Sequence, residues 1–326
     1  MQTKLFSAFL LSVLAIGSAT SVFSWHDEGH KLTGYVAWQR MTPQTREAVI
    51  RILRAAPEDS NISAFYQVWG VESEDVRKMQ FFMVVPTWAD MVRERGFPVR
   101  NRKYHNSNWH YDDTFWKQID GKIEYLTGFE EGGQALTRLA EAEKTMRDAN
   151  AKDADKAVAI AWFLHLTGDI HQPLHNSARV TDREPKGDQG GNFFLLTPEG
   201  TPRDKQLNLH TFWDGITNRS VPLKKGQCVD NYLVGLGNKM TKKHPYSDFA
   251  NGLQIGAYRK WHEEGMALAT TVVFSADLKR FEMPSARYQK KAFETAERQI
   301  ALAGYRIAET LNGIFGASAS SAVAPN

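Results

Sequence analysis

The spacing of apolar residues along the chain predicts a mainly helical protein. Thr42 and Pro43 form a typical helix start, with Thr as the N-cap and Pro in the first turn, and apolar residues follow at helical spacing. Residues 156–170 form a strongly apolar segment of helical length, and Pro173 marks its end. Both segments therefore predict helices that contribute to a core.

The last predicted helix covers Lys290–Leu311, where apolar residues recur in steps of three and four. Asn312 and Gly313 follow and form a typical helix stop. Residues 179–203 are rich in Gly, Pro and charge, which predicts a long loop or a short hairpin. No regular repeat, run of alternating strands or clear linker is evident, so the sequence predicts one all-α domain.

The beginning of the chain reads as a secretory signal peptide over residues 1–24. Leu5–Ile16 is apolar apart from two serines, and small residues lead to a cleavage site after Ser24. An uncleaved membrane anchor is the alternative, but the run is short of the roughly 20 residues that span a bilayer. Cleavage would make Trp25 the first residue of the mature protein.

These features define the expected organisation of the chain. The mature domain is expected to cover residues 25–315, and the Ser/Ala-rich residues 316–326 are expected to form a disordered tail. A cleaved signal peptide implies a secreted or periplasmic protein without stable membrane association. We also expect a monomer.

Composition limits the class of function and the source of stability. The formal net charge is only +3, which argues against a polybasic protein that binds nucleic acid through many phosphate contacts. Cys228 is the single cysteine, so no internal disulfide can form. An exported protein of this kind needs a large core or bound metal for stability.

Histidine placement provides the strongest candidate chemistry. His165 and Asp169 are four residues apart in the apolar helix, so their side chains share a face and form a plausible zinc-binding pair. His175 lies just after Pro173, where a turn brings back a third ligand. His171 is six residues after His165 and need not share its face, so it is left out of the predicted site.

A second segment repeats this spacing with His210 and Asp214. Taken alone, either pair is more often an ordinary helix-surface pair than a metal site. His165, however, lies in a strongly apolar segment, where a buried imidazole and carboxylate are costly unless they are paired or bind a metal. The two pairs together therefore predict a site for clustered metal ions.

Further Trp, His, Asp and Arg residues occur in short combinations that are individually weak. They are Trp25 with His30, Trp88-Ala-Asp90 with Arg93, and Trp109-His110-Tyr111-Asp112-Asp113. With the His/Asp pairs, Gly190-Gly191-Asn192 and Trp261-x-x-Glu264, they form an ordered set along almost the whole mature chain. In this order and spacing, the sequence resembles the type I zinc-dependent single-strand-specific nucleases, which include mung bean nuclease and fungal enzymes.

The resemblance implies a helical domain of the phospholipase C/nuclease type around three zinc ions. Asp90, His110 and His165 would hold one ion, and Asp169 would bridge it to a second ion held by His30 and by the amino group and carbonyl oxygen of Trp25. A third, more open ion would be held by the remaining ligands, His175, His210 and Asp214. Nitrogen and carboxylate ligands without cysteine suit zinc, in agreement with this assignment.

The resemblance also implies hydrolysis of single-stranded DNA and RNA to 5′-nucleotides. Asp90 and Arg93 are the expected catalytic residues, with Arg93 supplying positive charge as the transition state forms. Tyr111 would stack on an unpaired base, Asp113 would accept its hydrogen bonds, and Asn192 would be a polar contact. Family members often also dephosphorylate 3′-mononucleotides, and the sequence does not decide that activity here.

Two other functions stay open on the sequence. One is a zinc-dependent phospholipase C, whose ligand set is nearly the same, and the other is a non-catalytic exported protein that binds zinc. Arg93, the Gly-Gly-Asn turn and the aromatic-acidic pair after His110 favour the nuclease. Because eukaryotic family members carry disulfides, the single cysteine favours a bacterial source.

Overall fold

The computed structural model of the chain describes residues 27–66, 73–129 and 132–316. The predicted signal peptide, Trp25 and residues 317–326 of the predicted tail lie outside this part of the chain. The prediction of a single, mainly helical domain is confirmed. The α-helices in the described part are α1 (Asp27–Arg40), α2 (Pro43–Arg54), α3 (Glu74–Val84), α4 (Trp88–Met91), α5 (Pro98–Tyr104), α6 (Ala135–Arg147), α7 (Asp153–Ile170), α8 (Leu209–Asp214), α9 (Ile216–Ser220), α10 (Val229–Lys243), α11 (Tyr258–Leu268) and α12 (Ala286–Phe315).

A small sheet that the sequence did not predict lies beside the helices. Its strands are β1 (Thr114–Ile119), β2 (Lys122–Tyr125) and β3 (Ser177–Arg179), in the order β2-β1-β3. Strand β1 pairs antiparallel with β2 and parallel with β3. Phe115 and Trp116 are buried in succession on β1, so the strand lacks the alternation by which a half-buried strand is recognised.

Helix α7 forms the centre of the molecule. Every residue from Ile160 to Ile170 is buried, which is typical of a helix that is apolar on all sides and is covered by neighbours. Helices α2, α6 and α12 pack against it. The helix ends three residues before Pro173, and a 3₁₀ turn over Pro173–Asn176 follows. The turn sets the direction of the chain after α7 and places His175 just beyond the end of the helix.

Helix α12 is longer than predicted. It runs to Phe315, so the predicted stop at Asn312 and Gly313 is wrong. The helix continues because Ile314 and Phe315 pack against the core, and that burial outweighs the local cost of a helical glycine. At the other end of the chain, Thr42 caps α2 as predicted, since its side chain accepts a hydrogen bond from the backbone N–H of Thr45.

The predicted loop over residues 179–203 is largely irregular, and a bridge between Leu195 and Asn208 closes it. Within the described residues, no helix is both long and apolar enough to cross a membrane.

Candidate metal centre

The centre is built around the C-terminal half of α7. His165 and Asp169 are fully buried one turn apart, and His165 Nε2 lies 3.0 Å from Asp169 Oδ2. Their side chains share a face because residues four apart on a helix lie one above the other. The structure therefore brings together the first pair that the sequence singled out.

His110 and Asp90 approach the same atoms from separate elements. His110 Nδ1 lies 2.8 Å from His165 Nε2 and 3.2 Å from Asp169 Oδ2. Asp90 Oδ1, on α4, lies 3.8 Å from His110 Nδ1 and 3.9 Å from His165 Nε2. Tetrahedral zinc with bonds of about 2.0–2.2 Å spaces its ligand atoms roughly 3.4 Å apart, so these donor atoms match a zinc cage in type and spacing.

His30 reaches the opposite side of Asp169 from α1. Its Nε2 lies 3.4 Å from Asp169 Oδ1, and its ring stacks on His165 with a centroid distance of 4.2 Å. A Cβ atom on Gly168 would lie only 2.7 Å from His30 Nδ1, so this approach requires glycine at that position. The two oxygens of Asp169 thus face different histidines, as a bridging carboxylate requires. Trp25, the other predicted ligand here, lies outside the described residues.

We call the five residues gathered here the His165 group; its members are His30, Asp90, His110, His165 and Asp169. A second set, the His175 group, consists of His175, His210 and Asp214. His210 Nε2 lies 3.5 Å from Asp214 Oδ2, and His175 Nε2 lies 3.9 Å from Asp214 Oδ1. His175 comes from the 3₁₀ turn after α7, and the other two residues come from α8.

Backbone carbonyl groups fix the orientation of three of the rings. The Nδ1–H groups of His165, His175 and His210 donate to the carbonyl oxygens of Pro86, His110 and Gly190, each at 2.7 Å. This places the lone pair on Nε2, as in most zinc-binding histidines. Among the described residues, Nε2 of His175 and of His210 has no hydrogen-bond partner. A buried acceptor without a partner costs free energy of folding, and a bound metal would supply that partner.

Gly190 makes the carbonyl contact to His210 possible. Its φ is +61°, and a Cβ atom there would lie 2.4 Å from the carbonyl oxygen of Leu174. This close approach to the turn that carries His175 leaves no room for a side chain, so it requires glycine. The Gly-Gly-Asn turn noted in the sequence therefore supports a ring of the His175 group.

The electrostatics of the centre also suit cations. Burial lowers the pKa of His110 and of His210 to about 3, so both rings are neutral near pH 7, the form that binds metal. Burial raises the pKa of Asp214 well above its usual value. For His165 burial acts downward, but the charges of Asp169 and Asp90 outweigh it and raise the pKa. The carboxylates thus favour positive charge at the centre of the cluster.

Arg93 lies at the edge of the His165 group. Its Nη1 is 3.2 Å from Asp90 Oδ1, and its side chain is 21% exposed while that of Asp90 is 5% exposed. Burial opposes ionisation of Asp90, yet His165, Arg93 and His110 together lower its pKa. The predicted catalytic arginine is therefore held at the cluster by a predicted metal ligand.

The three predicted base-binding residues occupy two separate segments. The Tyr111 hydroxyl donates to Asn108 Oδ1 at 3.3 Å, and burial together with Asp188 raises the pKa of Asp113 well above its usual value. Asn192 Nδ2 donates to the carbonyl oxygen of Gln189 at 2.8 Å. Asp188 acts on Asp113 from the segment that carries Asn192, but these hydrogen bonds do not join the three side chains, so a shared base pocket stays a prediction.

Sequence reasoning missed Gln172, which donates from Nε2 to Asp214 Oδ1 at 2.8 Å. The feature of the sequence that could have identified it is its position between His171 and His175. His171, which was left out of the predicted site, indeed points away from it: its Nε2 accepts from Arg306 Nη1 at 2.8 Å, and its Nδ1–H donates to the carbonyl of Thr167.

Comparisons with known proteins place the chain in a family. The S1/P1 Nuclease family model matches residues 25–316. Nuclease PA3 of Penicillium sp and Nuclease P1 of Penicillium citrinum are each 25% identical to the chain over 304 residues, covering 90% of it and 98% of the relative. Endonuclease 1 of Arabidopsis thaliana is 24% identical over 313 residues, covering 94% of the chain and 92% of that protein. The resemblance predicted from the sequence is confirmed, and the chain belongs to the S1/P1 nuclease family.

Proposed function

We propose that the chain is a zinc-dependent phosphodiesterase that hydrolyses single-stranded DNA and RNA to 5′-nucleotides. The observation that carries this proposal is the presence of eight buried His and Asp side chains in three groups, two of which share His165, with the donor atoms of each group within 4.8 Å of one another. Family membership supports the nuclease reaction. A 3′-mononucleotide offers the same phosphate chemistry, so we extend the proposal to 3′-nucleotidase activity.

The donor set supports zinc as the metal. Imidazole nitrogens and carboxylate oxygens without thiolate suit zinc, and both groups have near-tetrahedral spacings. The His165 group would hold two ions with Asp169 between them, and the His175 group would hold a third. Zinc would supply Lewis acidity toward the phosphate and lower the pKa of water.

Trp25 would complete the ligands of the ion beside His30. Removal of residues 1–24 would free its amino group, so export and completion of the site would be one event. A secreted or periplasmic location follows from the same proposal, as does the proposed domain over residues 25–315. Without cleavage, the amino group would be part of a peptide bond and could not bind metal.

Arg93 would stabilise the charge that develops on the phosphate. Its guanidinium is held by Asp90 at 3.2 Å and is partly exposed, so it can face a substrate without losing its orientation. A preorganised cation in a partly buried site costs little reorganisation during the reaction. Asp90 would thus act both as a metal ligand and as the residue that positions Arg93.

Tyr111, Asp113 and Asn192 would bind the base. Tyr111 is partly exposed and lies next to His110, which supports stacking close to the scissile bond. Asp113 Oδ1 has no hydrogen-bond partner among the described residues, which supports a role as an acceptor for a base. Stacking needs a base that is not paired in a duplex, and this would produce the preference for single strands.

The test uses purified protein that begins at Trp25, loaded with zinc. We expect release of acid-soluble nucleotides from single-stranded DNA and RNA, and much less release from duplex DNA. A chelator should abolish the release from every substrate. Phosphatidylcholine vesicles serve as the second substrate. Release of phosphocholine without nucleotides would instead support a phospholipase C, and bound zinc without any turnover would support a zinc-binding protein.

A further inference from the structure

Gln172 lies beside the His175 group in a fully buried position. It is the second residue after the end of α7 and is the N-cap of the 3₁₀ turn Pro173–Asn176. Its Oε1 accepts a hydrogen bond from the backbone N–H of Leu174 at 2.6 Å, and its Nε2 donates to Asp214 Oδ1 at 2.8 Å. One side chain therefore connects the turn that carries His175 to a carboxylate on α8.

The hydrogen bonds determine which way the amide faces. The end that meets a backbone N–H must be the oxygen, so the NH₂ end must face Asp214. A hydroxyl group is too short to replace this side chain, and a carboxylate would offer no donor to Asp214. An amide of this length is thus the group that satisfies both neighbours at once.

The hydrogen bond also separates the roles of the two Asp214 oxygens. Gln172 binds Oδ1, which lies 3.9 Å from His175 Nε2, whereas Oδ2 lies 3.5 Å from His210 Nε2. In the absence of such a donor, rotation of the carboxylate would change the distance from Oδ1 to the His175 ring and from Oδ2 to the His210 ring. Fixed orientation of a ligand by a hydrogen bond is what tunes metal affinity in known sites.

We propose that Gln172 is a positioning residue for the third zinc ion, because it orients the Asp214 carboxylate and holds it at a fixed distance from His175. This inference rests on the proposed metal site of the preceding section. It concerns the His175 group alone, since the hydrogen bonds of the Gln172 amide reach Asp214 and Leu174 and no member of the His165 group. Loss of the amide should therefore weaken one ion selectively.

The test compares three variants of the mature protein. Gln172→Met keeps the side-chain length and removes both hydrogen bonds, and Gln172→Asn keeps the amide but shortens it by one methylene group. Gln299→Met is the matched control, because Gln299 is 4% exposed on α12 and belongs to neither group. Zinc affinity is measured by competition with a chromophoric chelator, and zinc content by atomic emission after dialysis.

We expect Gln172→Met to weaken one zinc ion by about 10–100-fold and to leave the other two nearly unchanged. Gln172→Asn should weaken the same ion, and Gln299→Met should weaken none. Circular dichroism verifies folding, and if Gln172→Met does not fold, Gln172→Asn decides the question.

Unchanged affinity of all ions in a folded Gln172 variant would overturn the inference, as would equal weakening of every ion. These measurements need no nucleic acid. Selective weakening in a protein that cuts no substrate would therefore contradict the proposed nuclease function alone. Wild-type protein that binds zinc and cuts nucleic acid, with no selective effect of Gln172, would contradict this inference alone.

Discussion

Two largely buried polar clusters lie beside the C-terminal end of α7. One is built on an arginine, the other is the metal centre formed by the His165 and His175 groups, and their charges are balanced in different ways. The first, which we call the arginine cluster, consists of Arg306, His171, Glu264 and Trp261. Arg306 is fully buried, and it donates to His171 Nε2 at 2.8 Å, Glu264 Oε1 at 2.9 Å and the carbonyl oxygen of Leu253 at 3.0 Å. Its guanidinium also lies 4.8 Å from the centre of the Trp261 ring.

Among the described residues, no lysine or arginine is buried within the His165 and His175 groups. Their carboxylates and imidazole rings face one another at 3–4 Å, and the partly exposed Arg93 contacts Asp90 at the edge of the His165 group. A buried carboxylate needs a cation or several donors to remain ionised. The comparison indicates that the arginine cluster serves stability, whereas the metal centre is arranged for cations that come from outside the chain.

The sharpest way to break this comparison is to neutralise the carboxylate shared by the His165 group. Asp169→Asn keeps the shape but removes the bridging charge, so we expect kcat/KM on single-stranded DNA to fall at least about 1000-fold. In the presence of chelator, the free energy of unfolding should change little or rise, since a buried charge is removed. Activity within ten-fold of wild type would show that Asp169 bridges no ions.

The arginine cluster should show the opposite behaviour. Arg306→Met leaves His171 Nε2 without its donor and Glu264 without its buried cation, and we expect a loss of unfolding free energy on the order of 3 kcal/mol. The loss should be the same with and without zinc, as measured by denaturant unfolding. Arg298→Met is the control, because Arg298 is exposed on the same helix. Equal losses of unfolding free energy in Arg306→Met and Arg298→Met would contradict a structural role for the arginine cluster.

Extension of the mature N-terminus tests the proposed link between export and the metal centre. One alanine added before Trp25 converts the terminal amine to an amide, so we expect loss of about one zinc per chain and a fall in activity of roughly 30-fold. The stability measured in chelator should not change, since the extension leaves the arginine cluster intact. Full zinc content and full activity of the extended protein would contradict the proposed amine ligand.

The smallest expected effect concerns the base. Tyr111→Leu removes the aromatic face without affecting the proposed ligands, and we expect KM for single-stranded substrates to rise by about 5–10-fold, equivalent to the weaker end of base stacking. Tyr111→Phe keeps the aromatic face, so it should behave nearly as wild type if stacking is the role of this residue. A loss of zinc in Tyr111→Leu would place the residue in the metal centre instead.

Much of the helical fold, and the placing of the His165–Asp169 pair on one helix face, could be predicted from the sequence, because these features follow from local spacing. His165 and Asp169 share a face of α7 through helical geometry alone, and Thr42 caps α2 through a local hydrogen bond. By contrast, the predicted end of α12 was wrong, because Ile314 and Phe315 pack against distant parts of the chain and the helix continues through them.

Contacts between distant segments could not be predicted in the same way. The bond between Gln172 and Asp214 joins residues 42 positions apart, and that between Arg306 and His171 joins residues 135 positions apart. Pairs so far apart in the sequence produce no periodic pattern from which their contact could be predicted. The resemblance supplied the ligand set in order, but the groups that orient those ligands emerged only from the three-dimensional packing.

Anomalous diffraction at the zinc edge, from crystals of the mature protein, tests the metal centre most directly. We predict three peaks: one among Asp90, His110, His165 and Asp169, one between His30 and Asp169 with the amine of Trp25 as a ligand, and one among His175, His210 and Asp214. Absence of a peak within about 3 Å of these donor atoms in zinc-loaded crystals would contradict the proposed zinc centre.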